Sequence, residues 1–285
     1  MALVRIDNSM SKMFHFCPAA FQERYLHQLE RTPPAGKSAP TDFGKRMHQL
    51  LEVHYQQSSG RWQSTYGPME PPELELEAQQ ALAAYRAHYP QEPFSVVDVE
   101  RQVEVPIPGS SHVYVAKLDM VVRMNDTRGL RVFETKTEGA RSSGNRPDAW
   151  AARAQVGLYM WAGAQLYGGP FEGILLNVIT RSATTSGTNP GMFGAGPYFR
   201  RDSLERTEAQ QLEAVSNIKW VADQIEQLQR THGSELLWPQ DREQCVRWPG
   251  VKCAYYDLHI LGRTDETLRG YRKAEQYLKE EGDQL

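Results

Sequence analysis

From residue 94 onward the chain alternates apolar and polar positions through three stretches, then gives up the alternation for one continuous apolar run. FSVVDVERQVEVPIP, HVYVAKLDMVVRM and LRVFETKTE are rich in valine and other β-branched residues at a period of two, the pattern of half-buried strands. PGSS separates the first pair and NDTRG the second, and both sequences suit hairpin connections. FEGILLNVITR is apolar at nearly every position, as expected of a strand covered on both faces. The spacing in AWAARAQVGLYMWAGAQLYG predicts a helix before it, and GPYFRRDSL after it offers an edge strand.

Ahead of residue 94 the period is helical. SMSKMFHFCPAAFQERYLHQL, TDFGKRMHQLLEVHYQQ and ELELEAQQALAAYRAHY each carry apolar residues at helical spacing, and loops rich in Pro, Gly and Ser separate them. Past the strands come a helix near residues 206–230, a cysteine-containing segment and a charged helix, ETLRGYRKAEQYLKEEG. This order predicts an α/β fold, a mixed central sheet flanked by helices. Its third and fourth strands run parallel, joined by a right-handed crossover helix. We expect a single domain over residues 1–260 followed by a helical tail at 261–285.

Composition changes this picture little. Hydrophobic residues at 40% and charged residues at 24% fit an ordinary globular protein of 285 residues. The opening MALVRIDNSMSKMFHF lacks the apolar core and small-residue cleavage site of a signal peptide. Apolar runs such as GILLNVI are too short to cross a bilayer. A cytoplasmic location and no membrane partner are therefore expected. The net charge of −3 neither supports nor excludes DNA, because the field around a site decides phosphate contact. Three widely spaced cysteines make a poor disulfide framework and leave thiols available for a metal.

Candidate chemistry lies in the strands. In LRVFETKTE, Glu134 and Lys136 share one face while Phe133 and Thr135 take the other. The preceding strand carries Asp119 among apolar residues in VAKLDMVV, and a hairpin through NDTRG can set it beside Glu134. Two carboxylates that close repel, and a divalent cation with a taste for hard oxygen, Mg²⁺ or Mn²⁺, relieves the repulsion. Such a cation supports phosphodiester hydrolysis, and a lysine beside it can orient water and neutralise developing charge. Taken alone, D-x14-E-x-K is a weak signal and reads first as the alternation of a solvated strand.

Further motifs weigh against that bland reading. Gly44 and His48 stand four apart in GKRMH on an N-terminal helix, and Gln155 and Tyr159 stand four apart in AQVGLYM. In this order the four motifs resemble the RecB-like branch of the PD-(D/E)XK nucleases: G-x-x-x-H, an Asp strand, E-x-K, then Q-x-x-x-Y. ILLNVITR and the later GPYFRR look like its phage-encoded members. The resemblance spans roughly residues 10–260. It implies His48, Asp119 and Glu134 as metal ligands with the Thr135 carbonyl as an extra one, and Lys136 positioning the nucleophilic water. It also implies Gln155 and Tyr159 touching the scissile phosphate or the DNA backbone. The activity it implies is a Mg²⁺- or Mn²⁺-dependent deoxyribonuclease, most often an exonuclease in recombination, end processing or repair. Its partners would be DNA and a helicase or single-strand annealing protein.

Arg141, Arg146 and Arg153 follow E-x-K, and Arg181, Arg200 and Arg201 lie further on; all could meet phosphates, although taken singly each reads first as part of a solvated polar face. Some members of the branch, including helicase-linked and CRISPR-adaptation nucleases, hold an iron–sulfur cluster on one N-terminal and three C-terminal cysteines. Cys17, Cys245 and Cys253 match three of those positions, and His259 stands where the fourth cysteine would be. Three readings stay open: a Cys₃His 4Fe-4S cluster, structural Zn²⁺ on the same residues, or three ordinary thiols. Two rival functions also remain, an inactive DNA-binding scaffold of the same fold and a structure-specific endonuclease.

Overall fold

Phe171–Arg181 forms a strand in which every residue from Gly173 to Ile179 is buried, which is why its sequence lacks the alternation of its neighbours. The computed structural model describes residues 3–32, 42–58, 60, 65–139, 146–181, 199–233, 236–240, 245–248 and 251–274. In chain order the first elements are β1 (Arg5–Ile6), α1 (Asn8–Phe16), α2 (Pro18–Phe21), a π-helical turn (Gln22–Leu26) and β2 (Leu29–Arg31). There follow α3 (Asp42–Ser58), α4 (Pro72–His88), β3 (Phe94–Pro106), β4 (Val113–Met124) and β5 (Leu130–Gly139). Next come α5 (Pro147–Ala151), α6 (Ala154–Tyr167), β6 (Phe171–Arg181), β7 (Phe199–Leu204) and α7 (Glu208–His232). The last are β8 (Val246–Trp248), β9 (Val251–Lys252), α8 (Tyr256–Leu261), α9 (Asp265–Leu268) and β10 (Tyr271–Lys273).

The chain divides into two compact units. One comprises Ser38–Val105 and Val115–Ser216, the other Met1–Lys37, Pro106–Tyr114 and Asn217–Leu285. In the first, β3 pairs with β4, and β4 runs antiparallel to β5 with Met120 opposite Phe133. β5 runs parallel to β6 with Glu134 opposite Leu176, and β7 closes the sheet antiparallel to β6. α6 makes the crossover that parallel neighbours require. The mixed sheet with parallel third and fourth strands is the one the sequence predicts.

Both faces of this sheet are covered. α3 and α4 bring Phe43, Met47, Leu51, Leu74 and Tyr85 against Met120, Phe133, Leu175 and Ile179. Burial of each such side chain contributes about 1.5–3 kcal/mol. α6 is buried at every position from Gln155 to Gly163, so its sequence is apolar all round rather than amphipathic. The single helix predicted across AWAARAQVGLYMWAGAQLYG is in fact two, α5 and α6. They break at Ala152–Arg153, where Arg153 is extended and its guanidinium lies 4.3 Å from the centre of the Trp150 ring.

In the second unit the Asp7 carboxylate caps α1 by accepting the Met10 amide at 2.7 Å. The helical period that runs on past residue 17 does not produce one helix. Cys17 is extended (φ −165°, ψ 110°) because the residue before a proline avoids the helical region, and Pro18 opens α2 instead. β1 pairs parallel with the start of β4, at Val113 and Tyr114, and β2 pairs antiparallel with β10. The predicted closing helix is likewise corrected. α9 stops at Leu268, Gly270 follows, and the chain then takes up the β2 edge as β10 rather than continuing helically. Residues 275–285 of the expected tail lie outside the described residues. No helix among the described residues is long and apolar enough to cross a membrane.

Candidate active site

Asp119 and Glu134 flank the Met120–Phe133 pair of the β4–β5 hairpin and so come together at its open end. Asp119 Oδ2 accepts the Thr135 amide at 2.8 Å. Strand alternation sets Lys136 on the same side as Glu134, and its Nζ lies 2.5 Å from Glu134 Oε1. Gln155, in the first turn of α6, donates its Nε2 to the same oxygen at 3.1 Å. Glu134 is 1% exposed, and its other oxygen, Oε2, is buried with no hydrogen-bond partner. Such a bare acceptor costs about 1–3 kcal/mol and invites a cation. Burial, reinforced by Asp119, pushes the Glu134 carboxyl up, with Lys136 and His48 opposing. Burial works to lower Lys136, but Glu134 and Asp119 outweigh it and hold the ammonium charged.

His48 reaches the same place from α3. Its Nδ1 is 3.5 Å from Asp119 Oδ2. Among the described residues, His48, Glu100 and Asp119 form the one set of three whose ligand atoms all lie within 4.8 Å of one another. One imidazole nitrogen and two carboxylate oxygens make a donor set that can hold Mg²⁺ or Mn²⁺. They line a cavity together with Glu52, Tyr55 and Thr135. Glu100 is a member that sequence reasoning missed. It sits within β3 at φ 52°, a left-handed backbone that interrupts the alternation from which its direction would be read. Burial, then Asp119, raises its carboxyl to about 7, opposed by Lys117.

Behind the carboxylates lies a buried polar network. Asn177 Nδ2 donates to Thr135 Oγ1 at 3.3 Å, and Asn177 Oδ1 accepts the Tyr85 hydroxyl at 3.3 Å. Tyr85 and Tyr55 hydroxyls meet at 2.8 Å, and Tyr55 donates to Glu92 at 2.7 Å. Arg201 donates to Tyr85 at 2.6 Å and pairs with Glu92 at 2.5 Å. Arg201, an expected DNA contact, has a side chain only 9% exposed and pairs with Glu92.

The other expected cations differ among themselves. Arg181 makes two 2.6 Å bonds to Glu77, and Arg200 pairs with Asp202 at 2.6 Å. Arg146 is exposed and pairs with Asp148 at 2.5 Å; Arg141 lies outside the described residues. Arg153 is close enough to Glu134 to feel its charge. It stacks on Trp150, whose ring also carries Lys136 Nζ at 5.6 Å, and burial lowers its pKa against the pull of Glu134. Tyr159 lies one turn beyond Gln155 on α6 and is 9% exposed. In the second unit Cys17, Cys245 and His259 are buried and Cys253 is half-buried, and no disulfide joins the cysteines. Cys245 Sγ is 3.7 Å from His259 Nδ1, the Cys253 amide donates to the Cys245 carbonyl at 2.8 Å, and Cys17 and Cys253 share one apolar cluster with Tyr255.

Among curated proteins none matches this chain. Among solved structures, one described as a candidate exonuclease from Eubacterium rectale is similar over 85% of this chain and 85% of its own. The TM-score is 0.49 and the sequence identity 12%. The family model of the PD-(D/E)XK nuclease superfamily matches residues 9–258. With that match over most of its length, the chain belongs to the PD-(D/E)XK nuclease superfamily.

Proposed function

We propose that the protein is a metal-dependent DNA exonuclease of the RecB-like branch, of the phage type, working in recombination, end processing or repair beside a helicase or a single-strand annealing protein. The observation that carries this reading is the convergence of Asp119, Glu134 and Lys136 on paired strands, with His48 and Glu100 beside Asp119. The residues fit a divalent cation, Mg²⁺ or Mn²⁺. Glu134 keeps a buried oxygen without a hydrogen-bond partner, and His48, Glu100 and Asp119 converge with hard donors. A cation held there supplies Lewis acidity toward a phosphoryl oxygen. Lys136, fixed by Glu134, orients the attacking water and neutralises charge as it gathers on the phosphate. The Thr135 amide fixes Asp119, and Gln155 fixes Glu134, so neither carboxylate has to find its place when substrate arrives. Arg153, stacked on Trp150, presents a cation to the DNA backbone.

The test is digestion of end-labelled linear and covalently closed DNA with Mn²⁺, Mg²⁺ or EDTA, using wild type and Lys136→Ala. Metal-dependent loss of linear DNA, absent in the variant, with circles spared, supports the exonuclease. Cleaved circles point to an endonuclease, and bound but intact DNA in every metal points to a scaffold.

The same proposal extends to the second unit, as a 4Fe-4S cluster on Cys17, Cys245, Cys253 and His259. Its support is the approach of Cys245 Sγ to His259 Nδ1 at 3.7 Å and the shared apolar cluster of Cys17 and Cys253, while burial favours the neutral imidazole that binds metal, against the pull of Glu23 and the Ala19 backbone. Iron and sulfide analysis of protein purified without oxygen tests this. Zinc in place of iron, or neither metal, would replace the cluster with a tetrahedral Zn²⁺ site or with three ordinary thiols.

A further inference from the structure

Lys117 stands two residues before Asp119 on β4, as Lys136 stands two residues after Glu134 on β5. By strand alternation Lys117 shares the face of Asp119. Its Nζ lies 2.5 Å from Glu100 Oε2, so the carboxylate that completes the His48–Glu100–Asp119 set is already paired with an ammonium. The two partners differ in surroundings: the Lys117 side chain is 63% exposed, that of Glu100 only 16%. Glu100 also holds a left-handed backbone at φ 52°, an arrangement that needs support from its surroundings. A cation of higher charge bound among His48, Glu100 and Asp119 would repel the ammonium at that distance. Lys117, long and mostly exposed, can swing away at little cost. Glu100 cannot.

We propose that Lys117 is a placeholder cation. It neutralises Glu100 until a divalent ion binds, then leaves for the solvent side of the site and there takes a phosphate of the DNA. Lys117 thus links metal loading to substrate capture. This inference rests on the metal-dependent nuclease reading above.

The experiment is Mn²⁺ binding to the full chain without DNA, followed by electron paramagnetic resonance of the free ion. Wild type is compared with Lys117→Met, Lys117→Arg, Glu100→Gln and the Lys117→Met/Glu100→Gln pair. An ion pair of this exposure is worth up to about fivefold in an equilibrium. Lys117→Met is therefore expected to bind Mn²⁺ roughly two- to fivefold more tightly, with Lys117→Arg close to wild type. Glu100→Gln is expected to bind more weakly, and in its background Lys117→Met is expected to change nothing. DNA binding is measured in the Lys136→Ala background with Mn²⁺. There Lys117→Met is expected to weaken binding and lower the salt slope by about one phosphate contact, and Lys117→Arg to preserve both. Unchanged or weaker Mn²⁺ binding in Lys117→Met, an equal gain without Glu100, or an unchanged salt slope would overturn the proposal. If wild type binds Mn²⁺ and Asp119→Ala does not while Lys117→Met is indifferent, the role of Lys117 fails alone. If wild type binds none, the metal-dependent reading fails with it.

Discussion

A Cβ placed on Gly44 would lie 2.7 Å from Thr137 Oγ1, so α3 approaches β5 closely enough that any larger residue at 44 would force the Thr137 hydroxyl to move. One helical turn further along α3, His48 meets Asp119. The glycine and histidine of G-x-x-x-H are thus parts of one device: the first lets the helix come close, and the second uses that closeness. Gly44→Ala should destabilise the protein by about 1–3 kcal/mol through overpacking and weaken Mn²⁺ binding by moving His48. Thr137→Ala should rescue both, because Thr137 Cβ would remain 4.0 Å away. Urea unfolding and Mn²⁺ titration of the two single variants and the double decide it. Lack of rescue would show that the contact is not what positions α3.

The same device shows what could be read in the sequence. Period and spacing sufficed for Asp119, Glu134 and Lys136, because alternation on strands joined by a short hairpin leaves little freedom in where side chains go. Glu100 escaped because one left-handed residue in β3 resets the alternation, and no residue type announces it. The ion pair of Arg201 was hidden for a different reason. A charged residue on an edge strand looks solvated until α3 and α4 deliver Tyr55, Tyr85 and the nearby Glu92 to it. The breaks at Cys17–Pro18 and Gly270 were legible as proline and glycine, but the apolar or charged period ran through them and hid them.

Metal loading should be visible as stability. Asp119 and Glu100 are close enough to share a cation, and Glu134 carries a buried bare oxygen. Saturating Mn²⁺ should therefore raise the thermal midpoint. A cation at one hundred times its Kd adds about 2.7 kcal/mol. Asp119→Ala should lose this shift. Lys136→Ala should keep it while kcat falls by roughly 10²–10³. Calorimetry with Mn²⁺ and with EDTA, beside the nuclease assay, separates binding from chemistry. A Mn²⁺ shift surviving in Asp119→Ala would place the ion elsewhere.

Arg201 and Arg153 should behave in opposite ways. Arg201 is buried against Glu92, so Arg201→Ala leaves an uncompensated carboxylate and should cost about 3–5 kcal/mol in urea unfolding. The salt slope of DNA binding should not move. Arg153→Ala should leave stability nearly unchanged and reduce the slope by about one contact. A slope change in a folded Arg201 variant would restore it as a phosphate ligand.

Glu75 gives a prediction whose sign is fixed by its surroundings. It ties α4 to α3: Arg46 Nη2 donates to Glu75 Oε1 at 2.8 Å and Arg46 Nε lies 2.7 Å from Oε2. The Arg46 guanidinium, opposed by burial and aided by Gln79 and the Met69 amide, holds the Glu75 carboxyl down at about 2, against an ordinary value of 4.5. Between those two values the unfolded chain takes up the proton and the folded one does not, so acid favours unfolding there. The stabilisation is complete above pH 4.5 and is lost as pH falls through about 2. Glu75→Gln should therefore lower the urea midpoint at pH 7, and the gap to wild type should close steadily from pH 4.5 toward 2. Arg46→Met should show the same closing gap, since it removes the other half of the pair. A gap that stays constant with pH would mean that shape rather than charge makes Glu75 matter, and the link between the His48 helix and α4 would then rest on packing alone.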